Sequence, residues 1–207
     1  FLDAVDRLIV LMEQLKQDGI ALKHLDLGGG LGVTYTDETP PHPTEYAKAL
    51  WEKLNAFSEL EIIVEPGRAI TANAGILVTK VEYLKSNESR NFAIVDAGMN
   101  DMIRPALYQA YMNILEIDRT LAREEKIYDV VGPICETSDF LGKQRKLTIA
   151  QGDYLAQRSA GAYGASMSSN YNSRPRTAEV MVDGDKAYLI RRREALNELW
   201  QLESLLP

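Results

Sequence analysis

The sequence has 207 residues, 45% of them hydrophobic, and its 30 acidic and 23 basic side chains leave a net charge of −7. That is long enough for one large domain or two small ones with a real core, and the charge argues against non-specific binding to nucleic acid or an anionic membrane. A single cysteine excludes an intrachain disulfide and fits a reducing compartment, no apolar stretch approaches the ~20 residues of a bilayer span, and no signal-peptide pattern opens the chain, so a cytoplasmic location is expected.

Leu2, Val5, Leu8, Ile9, Met12 and Leu15 recur at helical spacing, with Asp3 and Asp6 at the start and Gly19 as a stop. A chain that starts on Phe1 and runs straight into a helix reads as one joined in mid-fold. His24 to Leu27 then reads as a strand, Gly28-Gly29-Gly30-Leu31-Gly32 as a glycine loop, Thr44 to Ser58 as a helix opened by Pro43, and Glu61 to Val64 as a second strand. This alternation is that of an α/β barrel or doubly wound sheet, where chemistry gathers at the C-terminal ends of parallel strands. Beyond Arg68 the pattern turns to strands: Ile76 to Leu84, Phe92 to Asp96, Ile114 to Asp118, Lys126 to Val131, Lys146 to Ile149, Ala178 to Val182 and Ala187 to Ile190. The last two flank an Asp183-Gly184 hairpin turn. A β-rich domain over 75–207 is therefore expected after a first domain over 1–74. Leu196, Leu199, Trp200 and Leu202 predict an amphipathic closing helix over Glu194 to Leu205.

Besides the cysteine stretch Gly132 to Phe140, four places carry candidate chemistry. The three glycines after the first strand let backbone N–H groups approach a phosphate, though a tight strand-to-helix turn uses the same residues. Glu65-Pro66-Gly67-Arg68 ends the second strand; its carboxylate can hold a cationic ring nitrogen and its guanidinium can clamp an anion, the alternative being a buried Glu65–Arg68 ion pair. Arg104 and Tyr108 lie four residues apart in a helix started by Pro105, on one side, and can share a carboxylate or form a surface pair. Tyr163, flanked by Gly161 and Gly164, can offer its hydroxyl to a phosphate or sit in a core.

The stretch Gly132-Pro133-Ile134-Cys135-Glu136-Thr137-Ser138-Asp139-Phe140 follows a strand and places the thiol beside a carboxylate. A free thiol, with a pKa of roughly 8.5, is mostly protonated near neutral pH and can return a proton to a carbanion. The alternative is a small buried hydrophobe, which the polar run after Cys135 disfavours.

Taken in order, Leu25-Asp26-Leu27-Gly28-Gly29-Gly30-Leu31-Gly32, Glu65-Pro66-Gly67-Arg68, Arg104-Pro105-Ala106-Leu107-Tyr108, the cysteine motif and Gly161-Ala162-Tyr163-Gly164 resemble the diaminopimelate decarboxylases over the whole chain. These are fold-type III pyridoxal-phosphate enzymes of lysine biosynthesis, related to the ornithine and arginine decarboxylases. The resemblance implies that Gly28, Gly29, Gly30, Gly67 and Tyr163 surround the cofactor phosphate, that Glu65 pairs with the pyridine nitrogen, and that Arg68, Arg104 and Tyr108 hold substrate carboxylate, with Tyr163 and Glu136 also facing the substrate. Cys135 would be the proton donor, reaching with Glu136 across a homodimer interface into the partner's site; no metal enters. The family's cofactor-binding lysine and the histidine over the cofactor ring have no counterpart here. Lys23 and His24 stand at the wrong end of a strand, and Lys80 and Lys85 fall in the β-rich part. The resemblance thus implies the end of a TIM-like α/β barrel followed by a β-barrel- or sandwich-like domain, in a C-terminal portion inactive alone. A carboxynorspermidine, arginine or ornithine decarboxylase, or a non-catalytic regulatory relative, remains the alternative.

Overall fold

The computed structural model describes residues 2–206 and divides them into two compact units, one up to Ala74 and the other from Gly75.

The first unit opens with α1 (Leu2–Gln17), which buries Val5 and Met12. Its end is a Schellman motif: Ile20 N–H bonds Leu15 O at 2.9 Å and Gly19 N–H bonds Lys16 O at 3.1 Å, with Gly19 at φ 80, a left-handed position that glycine takes without steric cost. The helix α2 (Pro43–Leu54) starts from a His42 cap with Pro43 in its first turn, and buries Leu50 and Leu54 against Val5, Met12 and Leu25. It gives way to a 3₁₀ turn, Asn55–Phe57, so the expected helix to Ser58 is a turn shorter. Between them run β1 (His24–Asp26) and β2 (Glu61–Ile63), a parallel pair in the register Leu25 to Ile62. Parallel pairing brings both C-terminal ends to the same side. The ladder continues past the strands, Leu27 N–H to Ile63 O at 3.0 Å and Glu65 N–H to Gly28 O at 2.8 Å, and so ties the glycine loop to Glu65. A four-residue helix, α3 (Arg68–Thr71), follows.

The second unit is built on six strands: β3 (Leu77–Ser86), β4 (Asn91–Val95), β5 (Ile114–Glu116), β6 (Lys126–Val131), β7 (Phe140–Leu147) and β8 (Tyr154–Gln157). Their order is β5-β8-β3-β4-β6-β7, antiparallel throughout except for β4 beside β6. The sheet curls until its two edges are tied together, by Gln157 Nε2 to Leu141 O at 3.0 Å, Thr148 N–H to a Glu116 carboxylate oxygen at 2.6 Å, and Arg145 Nη2 to Met112 O at 3.3 Å. Inside this nearly closed barrel Val81, Val95, Met112, Val130, Leu141 and Leu155 are almost wholly buried. Between β4 and β5 lies the short helix α4 (Arg104–Tyr108).

Three expectations need correction. The strand expected over Lys146 to Ile149 begins instead at Phe140, because Gln144, at φ 53 with its N–H on an Asp129 carboxylate oxygen at 2.8 Å, makes an irregularity that breaks the alternation sequence patterning relies on. Strand β8 went unread because its inward positions are Leu155 and a glutamine, Gln157. The closing amphipathic helix is a single 3₁₀ turn, Leu196–Leu199, after which Leu202, Leu205 and Leu206 stand 93–98% exposed. Among the described residues no surface packs on that apolar stripe, so nothing within them offsets the cost of helix nucleation. The terminal hairpin β9 (Glu179–Asp183) and β10 (Lys186–Arg191) forms as expected, but its central pair is Gly184-Asp185, with Gly184 at φ 59 in the first position, as a type II′ turn requires.

Candidate functional site

In the first unit the glycine loop and Glu65–Arg68 stand side by side at the C-terminal ends of β1 and β2. Asp26 starts the loop by accepting the Gly28 N–H at 2.8 Å, and Gly28 and Gly30 take φ 65 and 105. A Cβ on Gly29 would lie 2.7 Å from the main-chain oxygen of Glu65, so the close approach of the two segments requires glycine there. Glu65 is exposed, and its carboxylate forms no ion pair among the described residues; the expected alternative of a buried Glu65–Arg68 pair is absent. Arg68, half-buried, instead donates to the Tyr35 hydroxyl at 3.4 Å. The Tyr35 loop is folded around Glu38, which accepts the N–H groups of Thr36 and Tyr35 at 2.7 and 3.0 Å; these backbone donors, Thr36 foremost, lower its pKa to about 2. A loop in which the Gly29 and Gly30 N–H groups donate to no side chain among the described residues, beside an uncommitted carboxylate and an arginine, suits a phosphorylated cationic ring such as pyridoxal phosphate. An apolar cavity of about 610 Å³ also lies in this unit, lined by Tyr46, Leu50, Trp51, Ile62, Val64 and Ile70 among others; it holds no acidic or basic side chain.

The second unit presents two clusters. In the first, the guanidinium of Arg104 lies 5.7 Å from the centre of the Tyr108 ring and 5.3 Å from that of Tyr163, so three residues expected to handle phosphate or carboxylate meet. Tyr163 is 40% exposed, which excludes a core role, and is held at φ 66, a conformation bulky residues rarely adopt. Gly164 makes the bend possible, since a Cβ there would come within 2.4 Å of Ala160 O.

In the second cluster Cys135 and Glu136 are both exposed, so the thiol is not a core hydrophobe. Their loop is wound around the buried Asp139 carboxylate, which accepts Ile134 N–H at 2.6 Å and Met99 N–H at 2.7 Å. Burial pushes the Asp139 pKa up, outweighing those donors and the nearby charge of Arg174. Gly98 and Gly132 border the same carboxylate, and a Cβ on Gly132 would come within 2.5 Å of it. Asp101 is buried in the adjoining turn; it accepts Gly98 N–H at 2.9 Å, and its pKa too is raised by burial. Arg174 spans this turn, donating to Asn100 Oδ1 at 3.0 Å and to Asp96 O at 2.5 Å.

Sequence reasoning assigned no role to Asp139, Asn100, Tyr171, Asn172 or Arg174. The motif contained Asp139, and the dense run Asn170-Tyr171-Asn172-Ser173-Arg174 was the one local signal for Tyr171, Asn172 and Arg174, whose partners lie 35 to 78 residues away; Asn100 carried none.

Residues 6–161 match the family described as pyridoxal-dependent decarboxylase, C-terminal sheet domain. Among similar proteins, the diaminopimelate decarboxylase of Haemophilus influenzae is 82% identical over 206 residues, covering 100% of this chain and 50% of the relative. That of Vibrio cholerae is 63% identical, covering 100% and 49%. A crystal structure of diaminopimelate decarboxylase from Helicobacter pylori complexed with L-lysine superimposes with a TM-score of 0.87 at 43% identity, covering 97% of this chain and 49% of that one. The chain thus spans about half the length of the curated relatives it matches. Since the family match runs through both units and takes in the glycine loop, Arg104, Tyr108 and the cysteine loop, the chain belongs to the pyridoxal-dependent decarboxylase C-terminal sheet domain family.

Proposed function

We propose that this protein serves the pyridoxal-phosphate-dependent decarboxylation of meso-diaminopimelate to L-lysine and carbon dioxide, in the cytoplasm, as a homodimer with shared active sites. The observation that carries the reading is the solvent-facing Cys135–Glu136 pair on a loop fixed by a buried carboxylate, an arrangement with no use in a core. The first unit is then the end of a larger α/β barrel, and the lysine that carries the cofactor comes from outside residues 1–207.

When bound, the cofactor supplies a ring that accepts the electron pair left on the α-carbon by loss of carbon dioxide. The chain's own residues hold and protonate. Gly29, Gly30 and Gly67 would offer backbone N–H groups to the phosphate, Gly28 would border it with its own N–H held by Asp26, Tyr163 would add its hydroxyl, and Glu65 would hold the ring nitrogen protonated. Arg68, Arg104 and Tyr108 bind substrate carboxylate, and the planar fork of Arg104 suits two-point contact. Cys135, in the partner's site, delivers the Sγ proton to the α-carbon, while Glu136 meets the ammonium group at the substrate's distal end.

The test is carbon dioxide release by the cofactor-loaded decarboxylase containing this chain, offered meso-diaminopimelate, carboxynorspermidine, arginine and ornithine. Preference for the first, with kcat lowered about a hundredfold or more in Cys135→Ala, is expected. Preference for another substrate would overturn the assignment. Pyridoxal phosphate added to residues 1–207 alone should give no borohydride-fixed adduct at a single lysine, read by absorbance and intact mass; such an adduct would refute an external lysine.

A further inference from the structure

Immediately over the Cys135–Glu136 pair lies the segment Asn170–Arg174. Two consecutive residues of this segment meet the two consecutive residues of the pair: the Tyr171 hydroxyl donates to Glu136 Oε1, and the Asn172 amide donates to Cys135 Sγ at 3.8 Å. The segment is anchored from behind, by Ser169 N–H to Asn100 O at 2.9 Å and by the Arg174 bonds to Asn100 and Asp96, and is closed on itself by Asn170 Nδ2 to Arg174 O at 3.0 Å. Asn172 and Ser173 both stand in the left-handed region, at φ 57 and 54. That conformation costs each residue energy and persists only where surrounding contacts hold it, and here it turns the Asn172 amide toward the thiol. Both Tyr171 and Asn172 are exposed, so packing does not explain them.

We infer that Tyr171 and Asn172 are positioning residues that act through their neighbours: Tyr171 fixes the Glu136 carboxylate for the substrate's distal ammonium group, and Asn172 fixes the Cys135 thiol for proton delivery. The inference rests on the roles proposed above for Glu136 and Cys135. A carboxylate on a flexible exposed side chain samples many rotamers; one held by a phenol presents its second oxygen in a single direction. The hydrogen bond also raises the Tyr171 pKa, so the phenol keeps its donor proton.

The test uses the cofactor-loaded decarboxylase with meso-diaminopimelate. Tyr171→Phe removes one oxygen and is expected to raise KM about tenfold with kcat within about twofold, as loss of a hydrogen bond to a charged group predicts. In a Glu136→Gln background the same change should add little, because both act at one place. Asn172→Gly, which retains the left-handed backbone, should lower kcat about fivefold with KM nearly constant. It should also speed iodoacetamide alkylation of Cys135 at least threefold, a readout that needs no turnover and is followed by peptide mass mapping of Cys135, the one cysteine of residues 1–207. Melting temperatures should stay within about 2 °C of the parent, since both side chains are at the surface. A KM within twofold of the parent for Tyr171→Phe, or losses that multiply in the double variant, would overturn the Tyr171 role; unchanged alkylation in Asn172→Gly would overturn that of Asn172. If the unsubstituted enzyme failed to turn over meso-diaminopimelate, the substrate assignment would fall and alkylation would still decide the Asn172–Cys135 pairing.

Discussion

Asp139 holds the cysteine loop in place, and Asp139→Asn is the sharpest test of that claim because it changes neither volume nor shape. One carboxylate oxygen accepts Met99 N–H and the other accepts Ile134 N–H. An asparagine can satisfy one of these donors; at the other it sets an NH₂ group against an N–H. Leaving a buried donor unmet costs about 1–3 kcal/mol, and the remaining bond loses its charge assistance. Against this, the neutral side chain escapes the desolvation that raises the Asp139 pKa. The balance is a loss of about 2 kcal/mol, or roughly thirtyfold in a local opening equilibrium. Hydrogen exchange followed by mass spectrometry should therefore show either the Met99 or the Ile134 amide exchanging about thirtyfold faster, with Cys135 alkylating faster as well. The pH dependence has a definite sign. With its native pKa above the ordinary 3.8, Asp139 contributes stability that is fully present below 3.8 and lost as pH rises through the native value. The gap between parent and variant should thus widen on acidification through that window. Parental exchange at both amides, or a gap that closes as pH falls, would refute the account.

Gly29→Ala should destabilise the first unit by about 1–3 kcal/mol, because its Cβ would lie 2.7 Å from the Glu65 main-chain oxygen and the loop or β2 must move. Gly28→Ala meets open space and should cost only the ~1–2 kcal/mol of its φ of 65; urea midpoints compare the two. Glu38, lowered to about 2 from 4.5, contributes stability present above 4.5 and lost as pH falls through about 2. Exchange at the Tyr35 and Thr36 amides should rise across that window in the parent and lose its pH dependence in Glu38→Gln.

What could be read from the sequence follows the range of the interactions involved. The Schellman end of α1 was legible because Gly19 is within four residues of its acceptor, and the Gly184 turn because a hairpin's chemistry sits in its central pair. The glycine loop and Glu65–Arg68 were legible separately as strand ends, and parallel pairing of β1 and β2 supplies the step that makes them neighbours. Arg104 and Tyr108 were expected on one side of a turn of helix, and they share it; that Tyr163 closes the cluster from 59 residues later depends on the left-handed backbone at 163. Illegible were features whose cause is tertiary. A polar inward residue hid β8, an irregularity at Gln144 hid half of β7, and an apolar stripe that covers nothing among the described residues forms a turn where periodicity alone predicted a helix. The supports of Cys135 and Glu136 belong to this class. Asp139 must be buried to organise the loop, and Tyr171, Asn172 and Arg174 arrive from a distant segment, so a motif can single out the Cys135–Glu136 pair while the residues that bond to it and hold its loop stay invisible until the chain is folded.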